Sequence, residues 1–406
     1  MTRVVIIGAG HAGGTAAALL RQYGHEGPII LAGEEPAAPY QRPPLSKAWL
    51  KGDADLEALL LRPESFYAEH GIELRTGVSA IAIDAAARTV TFADGTIEPY
   101  DALILATGST ARRLAIPGAD RAGLLELRTL ADAERLKAAL RPGRKLAIVG
   151  GGYVGLEAAA SARALGAEVV VIERMDRVLA RVASETLSTF FTARHRREGV
   201  EILTGAEVSA FEDAGVRLAD GRVIEADAVL VGVGALACDQ LARAAGLACG
   251  NGVVVDETAR TSDPAIRAIG DVTFRPVPTH GGHRHRLESV PNALEQAKQA
   301  AAAIVGRAAP APEVPWFWSD QYDLKLQIAG LPDGADRQLV RGDPCVIGEG
   351  ASFAVFHLAG DRILCVEAVN APAEFMAGRM MIGKATPVDA AKLVDPSVSM
   401  KQVAVG

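Results

Sequence analysis

Four apolar, mostly β-branched residues followed by three spaced glycines constrain this chain more than any other feature in it. The stretch is Val4-Val5-Ile6-Ile7-Gly8-Ala9-Gly10-His11-Ala12-Gly13. The apolar run reads as a buried parallel strand. The glycines stand at the spacing G-x-G-x-x-G. Gly8 allows a tight turn, Gly10 lets backbone approach a pyrophosphate, and Gly13 lets the next helix pack closely on the sheet. That helix is predicted from Ala12 to about Tyr23, and its amide end is where phosphates should sit. Glu34 follows the next strand, Ile29-Ile30-Leu31, about 20 residues on, where a ribose hydroxyl partner belongs.

The unit occurs twice. Lys145-Leu146-Ala147-Ile148-Val149 leads into Gly150, Gly152 and Gly155, and Glu173 follows Val169-Val170-Val171-Ile172. Two such units imply two dinucleotides, or one unit that has lost its ligand. A flavin and a nicotinamide dinucleotide would supply the acceptor and donor that hydride chemistry needs.

Length allows two or three domains at 406 residues. The first unit is expected over 1–110 and 236–314, the second over 111–235, and a smaller α+β domain over 315–406, after the proline-rich stretch Pro310 to Pro315. Fold class is therefore α/β, two Rossmann-like units plus a C-terminal α+β domain. The net charge is -7, with 42 basic and 49 acidic residues mixed along the chain, which disfavours nucleic acid as a partner. No apolar run reaches membrane-spanning length, and the chain opens on a strand without a signal peptide. Cys238, Cys249, Cys345 and Cys365 form no close pair and no metal spacing, so a reducing cytoplasm is expected.

Between the first glycine unit and residue 100, Pro39-Tyr40-Gln41-Arg42-Pro43-Pro44-Leu45-Ser46-Lys47 predicts an ordered, non-helical loop before a helix start. Arg42 and Lys47 read either as solvated loop charges or as ligand contacts. Strands are expected over Val78 to Asp84 and Thr89 to Phe92, and helices over Asn292 to Ile304, Glu374 to Ile382 and Pro387 to Leu393. Leu103 to Ser109 and Ala228 to Gly234 read as buried strands ending in small residues that admit close backbone approach.

The order of the Gly8 unit, Ala106-Thr107-Gly108, the Gly150 unit and Ile269-Gly270-Asp271 resembles the glutathione-reductase-like flavoproteins. Pro43-Pro44-Leu45-Ser46-Lys47, Leu127-Arg128-Thr129, Gly155-Leu156-Glu157, Glu288 to Ala293 and Trp316 to Gln321 resemble the NADH-dependent ferredoxin reductases of bacterial oxygenase systems, the putidaredoxin reductase type. The resemblance implies FAD on Gly8, Gly10, Ala12, Gly13, Glu34, Arg42, Lys47, Ala80, Arg128, Asp271, Val290 and Trp318. It implies NAD(H) on Gly150, Gly152, Tyr153, Gly155 and Glu173, with Lys47 and Glu157 as an ion pair serving hydride transfer. Tyr153 reads as an aromatic lid or as helix-start packing, Trp318 as a flavin neighbour or a domain-interface aromatic. The redox cysteine pair of the disulfide reductases is missing after the first unit, so thiol–disulfide transfer is unsupported.

The implied activity passes electrons from NADH to a [2Fe–2S] ferredoxin serving a haem-thiolate monooxygenase or a ring-hydroxylating dioxygenase. Alternatives are rubredoxin reduction, peroxide-forming NADH oxidation, or a binding or signalling module like apoptosis-inducing factor. Lys298 and Lys325 are the candidate ferredoxin-docking charges. A monomer or weak dimer is expected.

Overall fold

A computed structural model describes residues 1–405, which form two compact units. The first comprises Met1–Arg42, Leu56–Thr110 and Leu236–Phe317; the second comprises Pro43–Asp55, Ala111–Ala235 and the chain from Trp318 onward.

The first unit is built on a five-stranded parallel sheet. Its order is Ile266–Ala268, Ala102–Leu105, Val4–Ile7, Ile29–Gly33, Ile72–Thr76. Val4–Ile7 is central and fully buried, as its apolar run requires. Alternation sends Val4 and Ile6 to one face and Val5 and Ile7 to the other. On the first face lie helices His11–Gln22 and Val290–Ile304, which pack through Ala16, Ala17, Leu20, Ala297, Ala300 and Ala301. On the second lie Ile83, Val90 and Phe92 of a three-stranded antiparallel sheet, Ala80–Asp84, Thr89–Phe92 and Ile97–Pro99.

The second unit repeats this plan. Its parallel sheet runs Val200–Leu203, Glu168–Ile172, Lys145–Val149, Ala228–Val231, Leu124–Leu125. The C-terminal part is an antiparallel sheet in the order Trp316–Gln321, Leu324–Gly330, Arg362–Val369, Phe353–Ala359, Arg337–Gly342. Helix Pro372–Lys384 lies against it so closely that a Cβ on Gly378 would stand 2.9 Å from Val366 Cγ1.

Several boundaries move from expectation for local reasons. Val78 spends its amide on Gly33 O at 2.9 Å, so the strand starts at Ala80. Ser289 caps the helix through Asn292 N at 3.3 Å, which brings Val290 and Pro291 into the first turn, where proline is tolerated. Pro387 bridges Arg362, and Asp389 caps Ala390–Val394, so the last helix is shorter than the expected Pro387 to Leu393. The Pro43 stretch, expected as an ordered, non-helical loop before a helix start, forms a 3-10 turn over Pro43–Ser46 before the short helix Ala48–Lys51.

Candidate functional site

In the first unit, Gly8 has φ +108, and a Cβ there would stand 2.1 Å from Ala106 O. A Cβ on Gly13 would stand 1.9 Å from Gly8 O. Both positions are thus closed to side chains by backbone. Gly10 differs, because a Cβ there would meet nothing within 4 Å. The loop therefore has a floor of backbone and an open cradle above Gly10, at the start of a helix whose cap makes no side-chain hydrogen bond.

Other predicted residues gather at that helix start. Gly270 adopts φ +79, and a Cβ there would lie 3.1 Å from the Ala12 Cβ, which places the Asp271 turn beside Ala12. Ser109 Oγ donates to Asp271 Oδ2 at 3.2 Å. Val290 opens the helix that packs on both this turn and His11–Gln22. Ala80 begins the strand of the flanking antiparallel sheet.

Glu34 is exposed, and its neighbour Glu35 forms the contacts. Arg42 pairs with Glu35 at 2.6 Å, and the Tyr40 hydroxyl donates to the other Glu35 oxygen at 2.6 Å.

His11 was not singled out by sequence reasoning, which treats it as a free position of the glycine motif. Its Nδ1 is buried without a partner. Burial lowers the ring's proton affinity, Asp271 opposes that shift, and Arg42 adds to it. A histidine on the first helical residue beside an open cradle is the signal that could have marked it.

The second unit reproduces the backbone frame. Gly150 has φ +110, and its Cβ would stand 2.3 Å from Gly232 O; that of Gly155 would stand 2.3 Å from Gly150 O. A Cβ on Gly152 would meet nothing within 4 Å. Glu173 is tied into the loop, its two oxygens accepting from Gly151 N at 2.7 Å and Met175 N at 2.8 Å. Tyr153, on the first helical residue, donates from its hydroxyl to Val182 O at 3.0 Å.

Glu157 lies one turn further along that helix and is buried. Lys47 Nζ donates to its Oε2 at 2.7 Å, Ser46 Oγ donates to the same oxygen at 2.5 Å, and Ser319 Oγ donates to Oε1 at 2.7 Å. Lys47 also donates to Pro43 O at 3.1 Å. The 3-10 turn and short helix carrying Lys47 are anchored by buried Leu45, Trp49 and Leu50, with Lys137 over the Trp49 ring. Such a pair gains little net stability over apolar packing, since desolvation offsets its attraction. What it provides is a positive charge at a fixed place.

Arg128 is half-buried just before the Thr129 cap of helix Leu130–Ala139, its backbone amide on Asp132 at 3.2 Å. Trp318 is half-buried on the strand Trp316–Gln321. Lys298 meets Glu313 at 3.4 Å, while Lys325 is exposed on the rim of an open pocket with Gln327, Pro372 and Met376. Among the described residues, no helix is long and apolar enough to cross a membrane.

Residues 2–297 match the pyridine nucleotide-disulphide oxidoreductase family, and residues 316–404 match the reductase C-terminal domain. The chain is 51% identical over 408 residues to a protein of Castellaniella defragrans named as a probable ferredoxin reductase, covering 99% of each. It is 44% identical over 403 residues to rhodocoxin reductase of Rhodococcus erythropolis, covering 98% of this chain and 93% of that one. It is also similar to the crystal structure of the covalent putidaredoxin reductase–putidaredoxin complex. There the TM-score is 0.95 and the identity 40%, covering 99% of this chain and 97% of that chain.

Proposed function

The chain belongs to the pyridine nucleotide-disulphide oxidoreductase family, and from that premise we propose a division of labour between its two glycine-loop units. It is a flavoprotein reductase that uses FAD and NAD(H) and passes electrons to a ferredoxin. The first unit's loop fits FAD, with its open cradle at Gly10 beside the unpartnered His11 nitrogen, Ala12 and Asp271. We assign Gly8, Gly10, Ala12, Gly13, Asp271, Val290, Glu34 and Ala80 to that cofactor, with Arg42, Arg128, Lys47 and Trp318 as further contacts. The second unit's loop, Gly150, Gly152, Tyr153, Gly155 and Glu173, is assigned to NADH.

When bound, FAD accepts a hydride from NADH and releases electrons singly. The chain's own residues hold and orient. Helix amides and the open glycines receive phosphates. Glu173 accepts ribose hydroxyls on its remaining lone pairs and repels a 2′-phosphate. Lys47 holds a positive charge where negative charge develops, and Glu157 keeps it there.

The observation that carries this reading is the ion pair between half-buried Lys47 and buried Glu157 on the helix of the second loop. Lys47→Ala should leave a yellow flavoprotein while slowing flavin reduction at saturating NADH about tenfold to a hundredfold. Stopped-flow reduction measures this, and an unchanged rate would return Lys47 to a structural role.

The finer reading adds a [2Fe–2S] cluster in the ferredoxin, a haem-thiolate monooxygenase or ring-hydroxylating dioxygenase as the final consumer, a cytoplasmic setting and a monomer or weak dimer. Steady-state turnover of NADH with [2Fe–2S] ferredoxin, rubredoxin and oxygen compared side by side tests the acceptor. Faster turnover with rubredoxin would replace the ferredoxin assignment.

A further inference from the structure

We propose that Ser319 and Gln321, backed by His195, are positioning residues that orient the Glu157 carboxylate and through it Lys47. The proposal rests on the reading of the Lys47–Glu157 pair as serving hydride transfer.

Five side chains of the second unit form one continuous hydrogen-bonded line. Tyr322 Oη meets His195 Nδ1 at 3.0 Å, and His195 Nε2 meets Gln321 Oε1 at 2.8 Å. Gln321 Nε2 donates to Ser319 Oγ at 3.1 Å, and Ser319 Oγ donates to Glu157 Oε1 at 2.7 Å. His195, Gln321 and Ser319 are each no more than 1% exposed. The line joins helix Glu185–Arg197 and the first strand of the C-terminal sheet to a residue 162 positions away in sequence.

The line runs in one direction only. A carboxylate can only accept, so Ser319 must donate its hydroxyl to Glu157. The Ser319 oxygen then accepts from the Gln321 amide nitrogen, which turns the amide oxygen toward His195. That oxygen can only accept, so His195 carries its proton on Nε2 and leaves Nδ1 to accept from Tyr322. Each donor polarises the next toward the carboxylate. Burial keeps the ring neutral, pushing it down to about 4 against a lift from Gln321, with Arg194 adding to the drop. The neutral ring is the form this direction requires.

Two features of the strand support a positioning role. Ser319 and Gln321 are two apart, so both point inward, whereas Trp318 and Asp320 take the other face and are half-buried. The strand ends at Tyr322, a non-glycine residue at φ +56. That conformation costs free energy and persists only where its surroundings fix it. Arg194 does so here, lying 5.0 Å from the Tyr322 ring centroid and pairing with Asp323 at 2.8 Å. Apolar residues would fill this interior at least as stably. A polar line that ends on the one carboxylate holding Lys47 therefore points to orientation rather than stability.

The test is stopped-flow flavin reduction by NADH in Ser319→Ala, Gln321→Leu, the double variant and Lys47→Ala, with flavin midpoint potentials measured alongside. Ser319→Ala and Gln321→Leu should each lower the limiting reduction rate about 3- to 10-fold, with the half-saturating NADH concentration unchanged. The double variant should be no slower than the worse single one, because both cut the same line. The midpoint potential should fall, since a carboxylate that has lost the Ser319 donor carries more negative charge toward Lys47 and neutralises its ammonium more fully. Wild-type rates and potentials in both single variants, with Lys47→Ala slow, would overturn the proposal whatever happens to melting temperature. Wild-type rates in Lys47→Ala as well would remove the reading of the pair, and the positioning role with it. Ser319→Ala only shortens a side chain, so it decides the matter alone should Gln321→Leu fail to fold.

Discussion

The two glycine-loop units share a backbone and differ in where they carry charge. Gly8 and Gly150 have φ within two degrees of each other, and both third glycines press on the carbonyl of their first. Seven residues beyond the first glycine, however, one unit has Thr15 and the other Glu157. After the second strand, Glu34 is exposed, whereas Glu173 is bonded into its own loop at Gly151 and Met175. The steric demands of a dinucleotide fix the glycines. Side chains that leave the frame intact then make the two copies differ: the second carries a buried carboxylate on its helix where the first carries Thr15.

The sharpest way to break this comparison is to fill the glycines. Gly8→Ala and Gly150→Ala meet backbone oxygen at 2.1 and 2.3 Å in a conformation that disfavours side chains. Each should destabilise its unit by on the order of 3 kcal/mol or more, seen as loss of soluble protein or a lowered urea midpoint. A Cβ at Gly10 or Gly152 meets no protein atom within 4 Å, so the fold should survive Gly10→Val and Gly152→Val. The first should purify colourless. The second should purify yellow and lose NADH affinity by isothermal titration. A yellow Gly10→Val protein would show that the first loop is not the flavin's.

Acid should separate the units next. The His195 ring titrates near 6.5 when unfolded and about 4 when folded. Between those values unfolding takes up a proton, so stability should fall as pH drops from about 6.5 to about 4 and level off below. The total is about 3 kcal/mol. Hydrogen exchange should place the His195 share of that loss in the second unit, and His195→Gln should remove that share while leaving the acid sensitivity that burial gives His11 and His25 in the first. An unaltered slope in the variant would locate the sensitive group elsewhere.

Glu173 sharpens the contrast in donor choice. A 2′-phosphate facing its carboxylate should be disfavoured by about 1–3 kcal/mol, or roughly tenfold or more in kcat/KM for NADH over NADPH. Glu173→Gln keeps an acceptor for Gly151 and should shrink that ratio; equal use of both donors by the natural chain would refute it. The smallest effect asks which unit meets the ferredoxin. Lys298→Glu acts on the first and Lys325→Glu on the second. Each should raise the apparent ferredoxin KM a few-fold, chiefly at low salt. Lys325, exposed, should respond more than Lys298, which already pairs with Glu313. Equal losses with ferricyanide, which needs no docking, would trace the effect to the flavin or the fold.

What the sequence made legible was the part governed by local rules. β-branched runs became the two central strands, and each set of glycines landed at a point of close backbone approach. Positions set by packing between distant segments were not legible in that way. Lys47 and Glu157 could be paired only through family resemblance, because no spacing rule spans the 110 residues between them. The Ser319 contact, 162 residues from Glu157, and the tie from Glu173 to its loop left no local trace. Spacing pointed to Glu34 alone, and only the structure shows that its neighbour Glu35 engages Arg42. His11 was hidden because the motif leaves its position unconstrained.

The membership of Pro43–Asp55 in the second unit has a consequence for biosynthesis. This segment leaves the ribosome early, yet Glu157 follows Lys47 by 110 residues. At roughly 5–20 residues per second, translation needs about 6–20 s to produce that partner. Until then Trp49 and Leu50, buried in the finished protein, lack the helices they pack against. The nascent chain must carry this apolar hairpin-length loop out of its first unit without aggregating, a natural target for a chaperone. Lys47 is thus made 110 residues before the carboxylate that holds it.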